Sequence, residues 1–289
     1  MYAKEKIIKY LLMGAAFSSI LIVALIFLFL FKEALPFIHD PGFLHLFNGR
    51  WNPVSFFNES FGIYPLLTGS FLVTAMATLI ALPFGVISAV YLSEIAGKTE
   101  REFLKPFIEL LAGIPSVVLG FFGLIVLAPT VKRIFNLDSG LNALTGAIIL
   151  AMMAVPTIIS ISEDAIRSVP RTYKEASLAL GTSKLQTIWK VIVPASLSGI
   201  IAAVMLGVGR VIGETMAVLM VTGNAPLLTL NPFESVRTMT ATIAGEMGEV
   251  PFGSTHYGAL FWVGIVLLLI TFVLVYLSHR VLKKYRFEA

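Results

Sequence analysis

Six stretches of the chain are almost free of charge: Tyr10 to Phe31, Ser60 to Ser93, Leu110 to Val131, Ser139 to Ser162, Val191 to Phe233 and Tyr257 to Ser278. Only Arg210 and Glu214, both in the fifth, interrupt them. A helix of about 22 residues rises about 33 Å, enough to cross a hydrocarbon core of roughly 30 Å. Each stretch therefore holds one membrane span, and the two longest hold an interfacial portion as well. The composition excludes the other broad classes: 57% of the 289 residues are hydrophobic and 13% are charged, against roughly 45–50% and 25% in soluble domains. Disordered, collagenous and disulfide-framework chains fail on the same balance. Cysteine is absent, which removes disulfides, thiolate metal sites and cysteine nucleophiles.

A net charge of +4 in a soluble chain would point to nucleic acid, but in a membrane chain the basic residues first report topology. With both termini in the cytoplasm, 15 of the 21 Lys and Arg residues lie inside, and five lie outside: Lys32, Arg50, Lys132, Arg133 and Arg237. The positive-inside rule thus predicts six spans with cytoplasmic N and C termini and no nucleic-acid role. Basic residues precede the first span, as in a secretory signal. A signal's apolar region has roughly 7–15 residues, however, whereas this one runs into Lys32 and Glu33 without a small-residue cleavage pattern. It is expected to be retained.

Catalytic signatures are missing. Gly97-Lys98-Thr99 ends like a P-loop, but the spacing needs glycine at position 92, where Leu92 stands. The tripeptide reads as a basic cytoplasmic turn, so the chain is expected to bind no ATP itself. His39, His45, His256 and His279 are scattered without metal-ligand spacing, and neither G-x-S-x-G nor H-E-x-x-H occurs. No catalytic residue, metal or cofactor is expected.

The cytoplasmic segment from Ser162 to Pro194 reads as two short helices. Ser168 caps the first, with Pro170 in its opening turn, and Gly181 ends it in a left-handed conformation. Ser183 and Gln186 form a capping box for the second, where Leu185, Ile188, Trp189 and Ile192 share an apolar face. An amphipathic linker on the membrane, or more remotely a helix-turn-helix, fits the composition as well. Glu175-Ala176-Ser177, Gly181 and Val191-Ile192-Val193-Pro194, however, resemble the EAA loop of ABC importer permeases in spacing throughout. Ser177 replaces the second alanine of that pattern. The resemblance implies that Glu175, Ala176, Ser177, Gly181 and Pro194 belong to a coupling helix that docks on an ATPase subunit.

The similarity extends over roughly residues 61 to 280. Glu109 to Ser116, Phe121-Phe122-Gly123, Leu150 to Pro156, Ser162 to Ala165, Gly213 to Val218 and Val236 to Glu249 resemble the PstC-type phosphate permease family. The sister PstA type shares the G-I-P-S segment but has G-E-T-A-P where this chain has Gly213-Glu214-Thr215-Met216-Ala217.

Arg210 and Glu214 stand four residues apart, on one face of a helical fifth span. Charges there cost roughly 2.5–3.5 kcal/mol each on insertion scales, and they either pair structurally or mark a substrate pathway. Pro115 interrupts the third span, and Ser116 stands where a second half-helix begins, able to point N–H groups at an anion or merely to follow a kink. Asn231 and Pro232 are expected to start an external helix with Val236, Met239, Ile243 and Met247 as its stripe. The resemblance makes Arg237 a contact for the delivered substrate or its binding protein.

The expected molecule is an all-helical membrane protein with the type I ABC importer permease fold. Residues 1–60 form an N-terminal span and external loop, 61–280 the importer domain with its coupling loop at 162–194, and 281–289 a basic tail. The resemblance implies a non-catalytic subunit carrying phosphate across a bacterial or archaeal inner membrane. Its implied partners are a PstA-like permease, two ATPase subunits, an external phosphate-binding protein and membrane lipid. Arg210, Glu214, Ser116 and Arg237 are the candidate pathway residues. A molybdate or sulfate permease is the near alternative, and an ion-gradient-driven anion carrier the distant one.

Overall fold

A backbone in lipid must satisfy its own hydrogen bonds, which leaves helices as the natural solution for stretches this apolar. The computed structural model describes residues 2–55 and 58–285 and is mainly helical. In chain order, α1 spans Tyr2–Phe37; a short antiparallel pair follows, β1 Trp51–Asn52 and β2 Ser60–Phe61, and then α2 Tyr64–Val90 and α3 Lys98–Ala112. Next, α4 Ser116–Phe122 runs through a π-turn at Gly123–Leu127 into α5 Ala128–Phe135, followed by α6 Ala143–Arg167. A helical hairpin follows, made of α7 Arg171–Ala179, α8 Lys184–Thr187, a second π-turn at Ile188–Ile192 and α9 Val193–Ala195. The chain ends with α10 Leu197–Gly213, α11 Met216–Val221, α12 Met239–Glu246 and α13 Thr255–Tyr285.

Among the described residues five helical segments are long and apolar enough to cross a membrane: Glu5–Phe47, Tyr64–Ile95, Ser116–Phe135, Ala143–Arg167 and Thr255–Arg280. A sixth span, fifth in chain order, is reached only when Lys184–Ala195 and Leu197–Ile212, which meet at 68° around Ser196, are counted together. The basic tail expected at 281–289 falls outside the residues whose side chains are described.

In the membrane the helices gain little from excluding water, so close backbone approach does the packing. Helices α2, α6 and α10 form the centre. Ala77, Ala81, Ala147, Ala154 and Ile158 are buried there, and Ile158 of α6 is flanked by a glycine on each neighbour. A Cβ at Gly85 would stand 2.6 Å from Ile158 Cγ2, and one at Gly207 2.8 Å from its Cγ1. A separate core joins α1, the β-pair, α12 and α13 through Phe37, Leu46, Trp51, Phe61, Met239 and Leu260.

Three local expectations are corrected. The third span begins at Ser116 and not at Leu110, because α3 is a separate amphipathic helix whose Phe103, Phe107, Leu110 and Leu111 are exposed. Ser168 closes α6, donating its N–H to Asp164 O, and α7 starts after Pro170, whose ψ of 136° is extended. The external helix starts at Met239 with Thr238 as its cap; Val236 is held beforehand in a parallel bridge to Gly223, and Asn231 Oδ1 accepts Phe233 N–H in a turn.

Candidate functional site

Arg210 occupies the last turn of α10 and is partly buried. Its Nη1 donates to Thr157 Oγ1 on α6 at 3.2 Å, and its Nη2 reaches the Ala112 carbonyl at the end of α3 at 3.5 Å. No carboxylate pairs with it among the described residues. Both contacts are neutral, so the guanidinium keeps its full charge and has donors to spare.

Glu214 is not its partner. The helix ends at Gly213, and Glu214 turns to an extended conformation, φ −68° and ψ 133°. Its Oε1 accepts the Ala217 N–H at 3.2 Å, satisfying a free donor at the start of α11, while its carbonyl accepts Thr240 Oγ1 at 2.8 Å. The i, i+4 relation predicted for residues 210 and 214 fails because it requires helix through both. Ser116 opens α4 directly after Pro115, four residues beyond the carbonyl that meets Arg210, so the third-span break and the fifth-span arginine belong to one region.

Arg237 lies in the external lobe. It pairs with Glu246 and donates from Nε to Asn224 O at 2.8 Å. Glu246 also accepts Trp51 Nε1 at 3.1 Å and contacts His256 Nε2 at 2.8 Å. These contacts tie the β-pair, α12 and α13 together.

In the hairpin Gly181 has φ +82°, the left-handed turn expected of it, and the Ser183–Gln186 capping box is formed. Ser177 is buried, and its hydroxyl meets those of Thr182 and Thr187 at 2.8 and 3.0 Å, fastening α7 to α8. Glu175, Ala176 and Pro194 are exposed. The predicted apolar face divides: Ile188 and Ile192 are buried, whereas Leu185 and Trp189 are exposed, since the π-turn over 188–192 rotates successive side chains off a 3.6-residue repeat.

Residues not singled out from sequence complete the site. Glu163, near the end of α6, is bonded to Arg101 and Lys105 of α3 and to Arg167. The hydrogen bond to Glu163 holds the Lys105 ammonium above its ordinary pKa, with Asp164 adding to the effect against a smaller loss from desolvation. Thr157 is the other omission; a hydroxyl inside an apolar span gives no signal until its partner is known. An open cleft of about 1000 Å³ separates α3 from the α7–α9 hairpin, lined by Arg101, Lys105, Arg171, Lys174 and Glu175.

Residues 81–286 match the family described as binding-protein-dependent transport system inner membrane component. The chain belongs to that family. It is 43% identical to the probable ABC transporter permease protein YqgH of Bacillus subtilis over 80% of this chain and 76% of the relative. To the phosphate transport system permease protein PstC of Mesorhizobium japonicum it is 36% identical, over 84% and 79%. The fold is shared with a solved bacterial ABC transporter involved in import of the acidic polysaccharide alginate, at TM-score 0.65 and 16% identity over 98% and 99% of the two chains. The inward-facing MetNI methionine transporter superposes at TM-score 0.57 and 19% identity over 78% and 94%. As an inner membrane component of this family, the chain is a multi-pass permease subunit with the type I importer fold.

Proposed function

We propose that the chain is the permease subunit of an ATP-driven importer that carries inorganic phosphate across the inner membrane, with both termini in the cytoplasm. Arg210 carries this reading. A guanidinium among apolar spans, held by a hydroxyl and a peptide carbonyl, has among the described residues no carboxylate that would make it a structural ion pair. Its planar fork matches the oxygens of a tetrahedral anion, and the family's phosphate permeases select phosphate from that class. Ser116 lies in the same pathway, and Arg237 with Glu246 shapes the external mouth where a phosphate-binding protein delivers its cargo. Residues 61–280 form the transport unit, preceded by the span and lobe of 1–60.

The chain supplies the passage, and hydrolysis belongs to two ATPase subunits. They dock on the hairpin within 162–194, where Glu175, Ala176 and Pro194 are exposed and Gly181 is open on its outer side. A PstA-like permease completes the pathway, and lipid covers the remaining apolar surface.

The deciding experiment is reconstitution of the assembled complex in vesicles, measuring ATP-dependent uptake of phosphate against sulfate and molybdate. Arg210→Ala is expected to lower uptake about a hundredfold without loss of assembly, as for truncation of a desolvated charged contact. Arg210→Lys recovers little, because the fork is gone. Parental uptake by Arg210→Ala refutes the role of Arg210. Preferential uptake of sulfate or molybdate reassigns the cargo, and uptake by the lone chain following a proton gradient makes it a carrier.

A further inference from the structure

Among the described residues Glu163 is the one fully buried charge, at 1% exposure. Its Oε1 takes Arg101 Nη2 at 2.6 Å and Arg167 Nη1 at 3.4 Å, and its Oε2 takes Lys105 Nζ at 2.6 Å. Arg101 and Lys105 are one turn apart on α3, and α6 is the main packing partner of that helix. Leu104 and Ile108 supply its apolar contact. The opposite side of α3 is uncovered, so the charge node is a principal attachment.

Seven residues separate Lys105 from Ala112, two turns and about 10 Å of helix. The carbonyls of Leu110 and Leu111 accept the N–H groups of Gly113 and Ile114. The Ala112 carbonyl instead faces Arg210 Nη2 at 3.5 Å. A C-terminal carbonyl carries the negative end of the helix dipole, and so acts as a weak, displaceable stand-in for an anion. The second contact of Arg210, Thr157, lies on α6, six residues before Glu163. The two groups holding Arg210 therefore sit on two helices that Glu163 joins. Helix α6 ends at Arg167, itself bonded to Glu163, and the coupling hairpin begins at Arg171.

We propose that Glu163 is a positioning residue for anion passage: through Arg101 and Lys105 it holds α3 so that the Ala112 carbonyl covers Arg210, and movement of the α6 end with the hairpin withdraws that carbonyl and exposes the guanidinium. This rests on the reading of Arg210 as the anion contact. It gives nucleotide-driven motion at the hairpin a mechanical route to the charge inside the membrane.

The chain has no native cysteine, so one spin-label pair is unambiguous once the partner subunits are freed of cysteine. Leu111→Cys on α3 and Leu206→Cys on α10 are both exposed. Their separation is measured in the full complex, nucleotide-free and trapped with ATP and vanadate. The expected result is a shift on trapping that Glu163→Gln abolishes. Uptake in that variant should fall about tenfold, within the usual range of site-to-site coupling, while assembly and ATP hydrolysis are retained. Lys105→Gln, on the more exposed side of the node, should show the same pattern and carries the test if Glu163→Gln does not assemble. An unchanged shift with unchanged uptake in an assembled variant overturns the proposal, as does, in Lys105→Gln, a loss of uptake that only follows a loss of assembled complex. The two readings fail separately: parental uptake by Arg210→Ala removes the anion contact, whereas loss of uptake there with a normal Glu163→Gln complex removes only the positioning role.

Discussion

A guanidinium bound to a hydroxyl and a carbonyl keeps its charge available, and the chemistry at the residue scale turns on that. Arg210 was legible as a lone basic residue in an apolar stretch; its contacts, Thr157 and Ala112, come from 53 and 98 residues away and leave no local pattern. Glu214 illustrates the converse. The four-residue spacing placed it beside Arg210, but helix termination at Gly213 sends its carboxylate to the Ala217 N–H. A cap needs an acceptor oxygen and not a charge. Glu214→Gln is therefore expected to keep uptake within about twofold, whereas Glu214→Ala loses about 1 kcal/mol, the usual worth of a cap. Thermal unfolding of the assembled complex, read alongside uptake, checks both, and a large loss of uptake in Glu214→Gln would assign the charge a direct role.

At the scale of elements, features set by neighbouring residues were legible and those set by distant strands of the chain were not. The Ser183–Gln186 box and the turn at Gly181 are satisfied within a few residues. The start of α12 depends on Val236 bridging to Gly223 across 13 residues, so Asn231 and Pro232 misplaced it. In the α7–α8 turn, a Cβ at Gly181 would meet nothing among the described residues within 4 Å. Its cost is thus the left-handed backbone, roughly 1–2 kcal/mol for an L-residue, plus whatever it obstructs in a docked ATPase. Gly181→Ala should lower hairpin stability by about that amount and reduce uptake. Gly181→Asn tolerates the left-handed turn, so it should recover stability but not uptake. Comparing thermal melts with transport separates the two contributions; parental uptake in Gly181→Asn would remove the docking constraint.

For the whole molecule, two cores meet: small residues around Ile158 in the membrane, and aromatic residues around Phe61 outside. Glu246 fastens the outer one by accepting from Trp51, Arg237 and His256. Glu246→Ala leaves Arg237 without its carboxylate, a loss of about 3 kcal/mol for a mostly buried pair. Protease cleavage at Arg50 from the external side should rise, while the membrane core stays assembled; unchanged cleavage would show that the aromatic contacts alone hold the lobe. The sequence by itself determined which stretches are apolar enough to span, the permease family and the hairpin turn, because uncharged length, motif spacing and local hydrogen bonding are properties of contiguous residues. Only the tertiary structure decided that Arg210 has no carboxylate partner among the described residues, that α3 is a strut outside the third span, and that Glu163 joins it to α6. Each of these depends on which distant helices lie close enough for a side chain to reach, and contiguous sequence carries no record of that distance.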